Sequence, residues 1–216
     1  MTSAPARTAD PEIKTIFWDI GGVILTNGWD AHQRARVLMA LGVDLPAYEA
    51  RHDGVNYYWE RGLITARDFF EQTVLETNPQ PGLTFEELWG LVCAESKVLH
   101  PECFDILQAL KASGHYRQAT LNNESRELNE YRLDAFHLRQ YFDFLICSGY
   151  MHEMKPLPDI YRAATDISGH RPEETLLIDD KQENCDSAIA LDMQAIRFES
   201  PAQLRAALAQ HGIHPH

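Results

Sequence analysis

A handful of residues in this chain stand where they could act on one ligand together. Asp19 closes the short apolar run Ile16-Phe17-Trp18 and is followed by Ile20, Gly21 and Gly22. Asp179 and Asp180 close a second run, Thr175-Leu176-Leu177-Ile178, with Asn184 about one helical turn later. Asn122 and Asn123 follow a third, and Lys155 stands in Met154-Lys155-Pro156-Leu157-Pro158 after a fourth. A carboxylate at the end of a central strand is costly to bury without a partner. Glycines beside it allow a tight turn and the close approach of a ligand to the main chain. Three carboxylates with neighbouring amides are hard oxygen donors, which suit Mg²⁺ better than zinc. A lone lysine among them offsets carboxylate repulsion and fits a phosphate oxygen. Asp19 thus reads as a nucleophile or a metal ligand at the mouth of a parallel sheet.

Such a site needs the strands to end side by side. Apolar, β-prone runs predict strands at 16–18, 117–121, 144–147, 175–178 and 194–197. A single helical stretch separates each pair but the first, and this alternation calls for a Rossmann-like α/β core with a parallel sheet and helices on both faces. Between the first two strands lie roughly 100 residues, whereas a single βαβ crossover needs only about 30. That interval reads as helices throughout. Asp30 can cap a helix running to Leu41, a second spans Pro46 to Arg61, Thr65 can cap a third, and Thr84 with Glu87 forms a capping box for a fourth. Asn78-Pro79-Gln80-Pro81-Gly82 is a clear break. The expected division is a loose tail at 1–12, a core at 13–27 and 99–216, and an inserted all-helical cap at 28–98. The His-containing end, 211–216, is expected to be disordered.

Lys and Arg number 19 against 32 Asp and Glu, a net charge of −13. Such a balance argues against nucleic acid or an anionic membrane as partner, though not against a small anionic substrate held by a local field. Cys93, Cys103, Cys147 and Cys185 form no CxxC pair and lie in apolar contexts, which predicts buried free thiols and a reducing compartment. No apolar run is long enough to span a bilayer, and the first dozen residues lack a signal-peptide core. A soluble, cytoplasmic protein is expected.

Taken in order, the motifs resemble those of the haloacid dehalogenase (HAD) superfamily, in its phosphatase-like branch with a helical cap after the first strand. Asp19-Ile20-Gly21-Gly22-Val23 is similar to a first motif whose nucleophile precedes a glycine pair. Lys155-Pro156-Leu157-Pro158-Asp159-Ile160-Tyr161 resembles the lysine-proline signature, and Asp179-Asp180-Lys181-Gln182-Glu183-Asn184 the acidic metal-binding pair with its downstream amide. The resemblance implies a Mg²⁺-dependent phosphomonoester hydrolase acting on a small phosphorylated metabolite, sugar phosphates included, through an aspartyl-phosphate on Asp19. It further implies Mg²⁺ held by Asp19, the Gly21 carbonyl, Asp180, Asn184 and, in part through water, Asp179. Lys155 would neutralise charge on Asp19 and the phosphoryl group, while Gly21, Gly22, Asn122 and Asn123 would contact the substrate.

Two positions depart from that pattern. Gly21 stands where such phosphatases carry an acid that protonates the leaving oxygen, a contribution commonly of ~10²–10⁴ in rate. Unaided, the site should favour good leaving groups and hydrolyse its phosphoenzyme slowly. His32, His52, Glu60 or His152 could relay the missing proton, and nothing in the sequence picks among them. Asn122 replaces the usual Ser or Thr, though its amide N–H can still donate. Plainer roles are expected elsewhere: Asn123 as a helix cap, Glu124, Arg126, Glu127 and Glu130 as a solvated helix face, and Trp29, Tyr57, Tyr58 and Trp59 as core rather than cleft. The rival functions are a catalytically impaired HAD-like protein that binds a phosphorylated ligand and a metal-independent 2-haloacid dehalogenase.

Overall fold

Register explains why the polar residues meet. In the computed structural model, which describes residues 12–77 and 82–215, β1 (Thr15–Trp18) is the middle strand. On one side it pairs in parallel with β2 (Arg117–Asn122), so that Trp18 lies level with Thr120. On the other it pairs with β4 (Thr175–Asp179), Trp18 lying level with Ile178. Adding β3 (Phe144–Cys147) and β5 (Gln194–Arg197) gives the all-parallel order β3-β2-β1-β4-β5. The strands end in step, and Asp19, Asn122 and Asp179 therefore leave the sheet at one edge. The tail expected at 1–12 and the break at 78–82 fall almost wholly outside the described residues.

Alternation along each strand feeds two apolar layers. Ile16, Trp18, Leu176 and Ile178 pack with Ile106, Leu107 and Leu110 of α5 (Glu102–Ser113) and with Leu204 and Leu208 of α10 (Pro201–Gln210). Phe17, Ala119, Leu121 and Leu177 face the other way, against Ile160, Tyr161 and Ala164 of α8 (Pro158–Ser168) and Ala188 of α9 (Gln182–Ile189). A sheet covered on both faces accounts for strands that read as continuous apolar runs. All four cysteines are buried free thiols, as expected.

Between β1 and α5 the chain forms α1 (Ala31–Ala40), α2 (Leu45–Glu60), α3 (Ala66–Phe70) and α4 (Phe85–Ala94). Asp30, Asp44, Thr65 and Thr84 cap them, the last two in full capping boxes. α3 runs on into a π-helical turn, Glu71–Leu75, which periodicity did not reveal. These helices enclose a separate apolar cluster around Trp29, Leu38, Tyr48, Trp59, Phe69 and Phe70. The chain leaves and rejoins the sheet layer side by side: Thr26 N–H donates to Lys97 O at 2.9 Å, and Leu25 bridges Val98.

Three expectations change at the level of elements. α6 (Arg126–Ala135) starts after Ser125, whose hydroxyl accepts the Leu128 N–H, and not at Glu124. A short helix, α7 (Ser148–Met151), follows β3 directly. Residues 211–215 are not a loose end, because Ile213 is buried in the layer that holds α5 and α10. Among the described residues no helix is long and apolar enough to cross a membrane.

Candidate active site

Asp19 extends β1 by one residue. Its N–H donates to Ile178 O at 2.9 Å, and its Oδ1 accepts the Ile20 N–H at 2.8 Å. The residue is 8 % exposed and faces Lys155, whose Nζ lies 3.4 Å from Asp19 Oδ1. The same ammonium lies 2.5 Å from Asp179 Oδ2, and Lys155 is 2 % exposed. Asn123 holds the Lys155 backbone at both ends: its Oδ1 accepts the Lys155 N–H at 2.9 Å and its Nδ2 donates to Lys155 O at 2.7 Å.

The two adjacent acids behave differently. Asp179 is fully engaged, accepting from Lys155, from Asn184 Nδ2 at 2.9 and 3.1 Å, and from the Lys181 N–H at 2.9 Å. Asp180 Oδ1 is buried with no hydrogen-bond partner. Asp19, Asp179 and Asp180 can each offer an oxygen within 4.8 Å of the others. Three carboxylates thus gather around Lys155, with Lys181 acting on Asp180 from beside it, and the buried oxygen of the pair without a partner belongs to Asp180. Eight other buried side-chain atoms among the described residues, Asn122 Oδ1 included, also lack a partner; what sets Asp180 Oδ1 apart is its place among three carboxylates, where a cation would satisfy it.

Burial pushes the Asp19 carboxyl up to about 7; Lys155 pulls it back, while Asp179 and Asp180 push it further up. Burial, then Asp179, raises Asp180 as well. Burial alone would lower Lys155, but Asp19 and Asp179 hold it above its ordinary value. The cluster is short of positive charge, which is the condition a bound cation relieves.

Gly22 is the residue that lets Asp180 approach. Its φ is +74°, and a Cβ there would stand 2.3 Å from Asp180 Oδ2. Gly22→Ala is expected to cost about 1–3 kcal/mol through backbone strain and to displace Asp180, with a fall of roughly 10–100-fold in divalent-cation affinity. Urea unfolding and calorimetric Mg²⁺ titration check this. An unchanged midpoint with unchanged affinity would contradict it.

Beside this cluster lies a cavity of about 380 Å³ between the helical layer and the sheet edge. Lys155 and Asn184 form part of its wall, as do Asn27, Asn56, Glu60 and Lys181. Trp29 and Trp59 serve both purposes weighed for them, packing in the helical core and lining the cavity. Tyr57 and Tyr58 do neither and are exposed.

Other expected roles shift. Asn123 is not a helix cap, since Ser125 takes that place and the Asn123 amide is spent on Lys155. Glu124 is not on a solvated face: it is buried, with Oε2 accepting from Arg132 Nη1 at 2.8 Å and Oε1 from the Ser125 N–H at 2.9 Å. Asn122 is 2 % exposed, gives one N–H to Asn129 Oδ1 at 3.0 Å and does not line the cavity. Of the four proton-relay candidates only Glu60 lines the cavity. His32 is exposed, His52 is packed against Tyr48 and Phe69, and His152 Nδ1 sits 2.7 Å from Arg61 O. Arg34, Asn56 and Lys181 are cavity residues that sequence reasoning passed over, because nothing in their spacing distinguishes them from ordinary helix-surface positions.

The chain is similar to known proteins in sequence and in fold. A family model described as haloacid dehalogenase-like hydrolase matches residues 13–192. A phosphoglycolate phosphatase of Aquifex aeolicus is 31% identical over 173 residues, covering 78% of this chain and 76% of the relative. A second protein of that name, from Thiobacillus denitrificans, is 26% identical over 189 residues, covering 82% and 79%. In fold the chain is similar to a HAD family enzyme of Bacteroides thetaiotaomicron solved with magnesium and inorganic phosphate. That likeness has a TM-score of 0.74 at 22% identity and covers 87% of this chain and 95% of the other.

Proposed function

Because the chain belongs to the haloacid dehalogenase-like hydrolases, we propose that it is a Mg²⁺-dependent phosphatase of small phosphorylated metabolites, with Asp19 as nucleophile and an aspartyl-phosphate intermediate. The observation that carries this reading is the strand-end cluster, in which Asp19 and Asp180 share one charge-deficient corner and Asp180 Oδ1 has no partner. The donor set fits Mg²⁺: carboxylate oxygens, no thiolate and no imidazole. Asp19 and Asp180, with the Gly21 carbonyl, would hold the ion, and Asp179 and Asn184 would brace it. When bound, it screens the nucleophile from the phosphate and polarises a phosphoryl oxygen.

The chain's own residues then have separate tasks. Lys155, fixed by Asn123 and Asp179, keeps a positive charge against Asp19 and the incoming phosphoryl group. Asp19 attacks phosphorus, and the Asp19–phosphoryl bond is cut by water in a second step. The resemblance also assigns substrate contacts to Gly22, Asn122 and Asn123. Of these, the Asn123 side-chain amide is engaged with Lys155, which leaves its backbone for that purpose. Residues 28–98 are taken as the cap that closes the site.

The cavity wall favours a hydroxyl-bearing organic group such as a sugar. Asn27, Asn56 and Glu60 offer polar contacts, and Arg34 is committed to Glu49 and to Trp29 O. The curated relatives' name favours a second reading, phosphoglycolate, whose carboxylate would need Lys181 as its counter-charge. A panel of sugar phosphates, phosphoglycolate and aryl phosphates, assayed with Mg²⁺ and with chelator, separates the two. Chelator-insensitive halide release from a 2-haloacid, with no phosphate release, would overturn both.

Metal binding should also be visible in stability. With Asp19 held at about 7, the folded chain keeps a proton that an unfolded carboxylate gives up near its ordinary value of 3.8. Without metal, this group therefore makes stability fall as pH rises from about 4 to about 7. A cation replaces that proton. Saturating Mg²⁺, at ~100 Kd, is expected to add about 2.7 kcal/mol, or roughly 5–10 °C in Tm, at a pH about one unit above 7. At a pH about two units below 7 the gain should be clearly smaller. An equal gain at both would contradict the assignment.

A further inference from the structure

We propose that Glu60, the last residue of α2, is the general acid and base of this hydrolase, replacing the carboxylate that Gly21 cannot supply; the proposal rests on the phosphatase reading above. An in-line transfer puts the leaving oxygen on the face of phosphorus opposite Asp19. The open space next to Asp19 is the cavity that Lys155, 3.4 Å from Asp19 Oδ1, and Asn184 help to line.

Four acids line the cavity, and three are accounted for. Asp30 caps α1 through Oδ1, which accepts from the His32 and Gln33 N–H groups, and its Oδ2 accepts from Asn27. Glu124 is locked to Arg132 and the Ser125 N–H. Glu183 is exposed on the first turn of α9. Glu60 is half-buried and in no ion pair among the described residues; the Asn56 amide, one turn back, is the side chain that bonds to it.

The backbone around Glu60 is fixed to the sheet layer, which anchors the root of its side chain at the cavity wall. Ser148 Oγ of α7 donates to Glu60 O at 2.6 Å, and Arg61 Nε donates to His152 O at 2.5 Å. Gly62, at φ +64°, lies so close to α7 that a Cβ would meet Gly149 O at 2.2 Å. A carboxylate at a helix C-terminus is also opposed by the helix dipole. Burial raises Glu60, Asn56, Lys181 and Arg34 pull it down, and Glu124 is the other acid facing it. The net direction is upward, which favours a proton held ready for donation.

The proton balance closes over one turnover. As the P–O bond to the leaving group breaks, protonated Glu60 gives its proton to the departing alkoxide. Its carboxylate then takes a proton from the water that attacks the phosphorus of phospho-Asp19. Asp19 leaves as carboxylate, inorganic phosphate departs, and Glu60 is protonated again.

The test is Glu60→Gln, compared with wild type on an alkyl and an aryl phosphate in saturating Mg²⁺. The alkyl ester needs the acid and should lose ~10²–10⁴ in kcat/KM. For an aryl ester, whose leaving group departs unprotonated, kcat/KM should change by no more than about threefold. A burst should then appear, as breakdown of the phosphoenzyme loses its base. In Glu60→Ala, formate should restore alkyl-ester turnover in a concentration-dependent way, which a fault in folding would not permit. Equal losses on both esters without formate rescue, or no loss on either, would overturn the proposal while leaving the phosphatase reading intact. Failure of the wild type to release phosphate from any ester would overturn that reading and this proposal with it.

Discussion

Asp19→Asn is expected to abolish turnover and to make the metal-free protein more stable above neutral pH. The activity loss should be ~10⁴-fold or more, as for removal of other covalent nucleophiles. The gain in stability has a separate origin. Asp19 is 8 % exposed and shares its surroundings with Asp179 and Asp180, so ionising it above about 7 works against the fold. An amide of the same shape has no charge to bury. The variant should therefore melt higher than wild type in chelator at pH values above that point, and Mg²⁺ should raise its Tm less. Phosphate release assays and thermal melts with and without Mg²⁺ measure both. Retention of more than about one part in a hundred of the wild-type rate would remove Asp19 from the reaction.

Lys155→Met should have the largest effect on stability. Lys155 is 2 % exposed, and its ammonium is shared between Asp179 at 2.5 Å and Asp19 at 3.4 Å. Removing one partner of a buried ion pair typically costs about 3–5 kcal/mol, because the charges left behind are uncompensated. The sign with pH follows from the acids. At neutral pH and above, the three carboxylates repel one another without relief. As pH falls below the raised value of Asp19, protonation removes part of that repulsion and the deficit relative to wild type should narrow. Urea unfolding on either side of pH ~7 gives the difference directly. Mg²⁺ should recover part of the stability but little of the activity, since no positive charge remains beside the nucleophile. A deficit below about 1 kcal/mol at neutral pH would mean that the pair is worth no more than a surface salt bridge.

Much of the strand-end geometry was legible in the sequence, for a definite reason. β1 and β4 are buried on both faces, so they read as apolar runs, and the acid that follows the apolar stretch of each marks where it leaves the core. Asp19 and Asp179 were placed in this way, whereas β2 buries Gln118 and Thr120 and gives a weaker apolar signal ahead of Asn122. The helix caps at Asp30, Thr65 and Thr84 were legible because capping is a local matter of residue type and spacing.

What remained hidden depends on distant contacts. No local rule separates Asp179 from Asp180, yet Asp179 is saturated by Lys155, Asn184 and Lys181, whereas Asp180 keeps an unpartnered oxygen. Asn123 and Glu124 look like the polar start of a helix. Their partners, Lys155 and Arg132, come from the loop after β3 and from the far end of α6. Ile213 lies among polar residues in the chain and docks only because α10 returns to the sheet. Glu60 is a common residue type at a helix end, and only the docking of α2 on α7 brings it to the cavity wall.

Direct identification of the phosphorylated residue is the sharpest measurement. Enzyme mixed with Mg²⁺ and an aryl phosphate, quenched in acid within the first turnover and reduced with borohydride, would convert an aspartyl-phosphate to homoserine, which peptide mass spectrometry can locate. The expected result is homoserine at position 19, dependent on Mg²⁺ and lost in Asp180→Asn. Phosphate release at the wild-type rate with position 19 unmodified, or with the label on another residue, would contradict nucleophilic catalysis by Asp19.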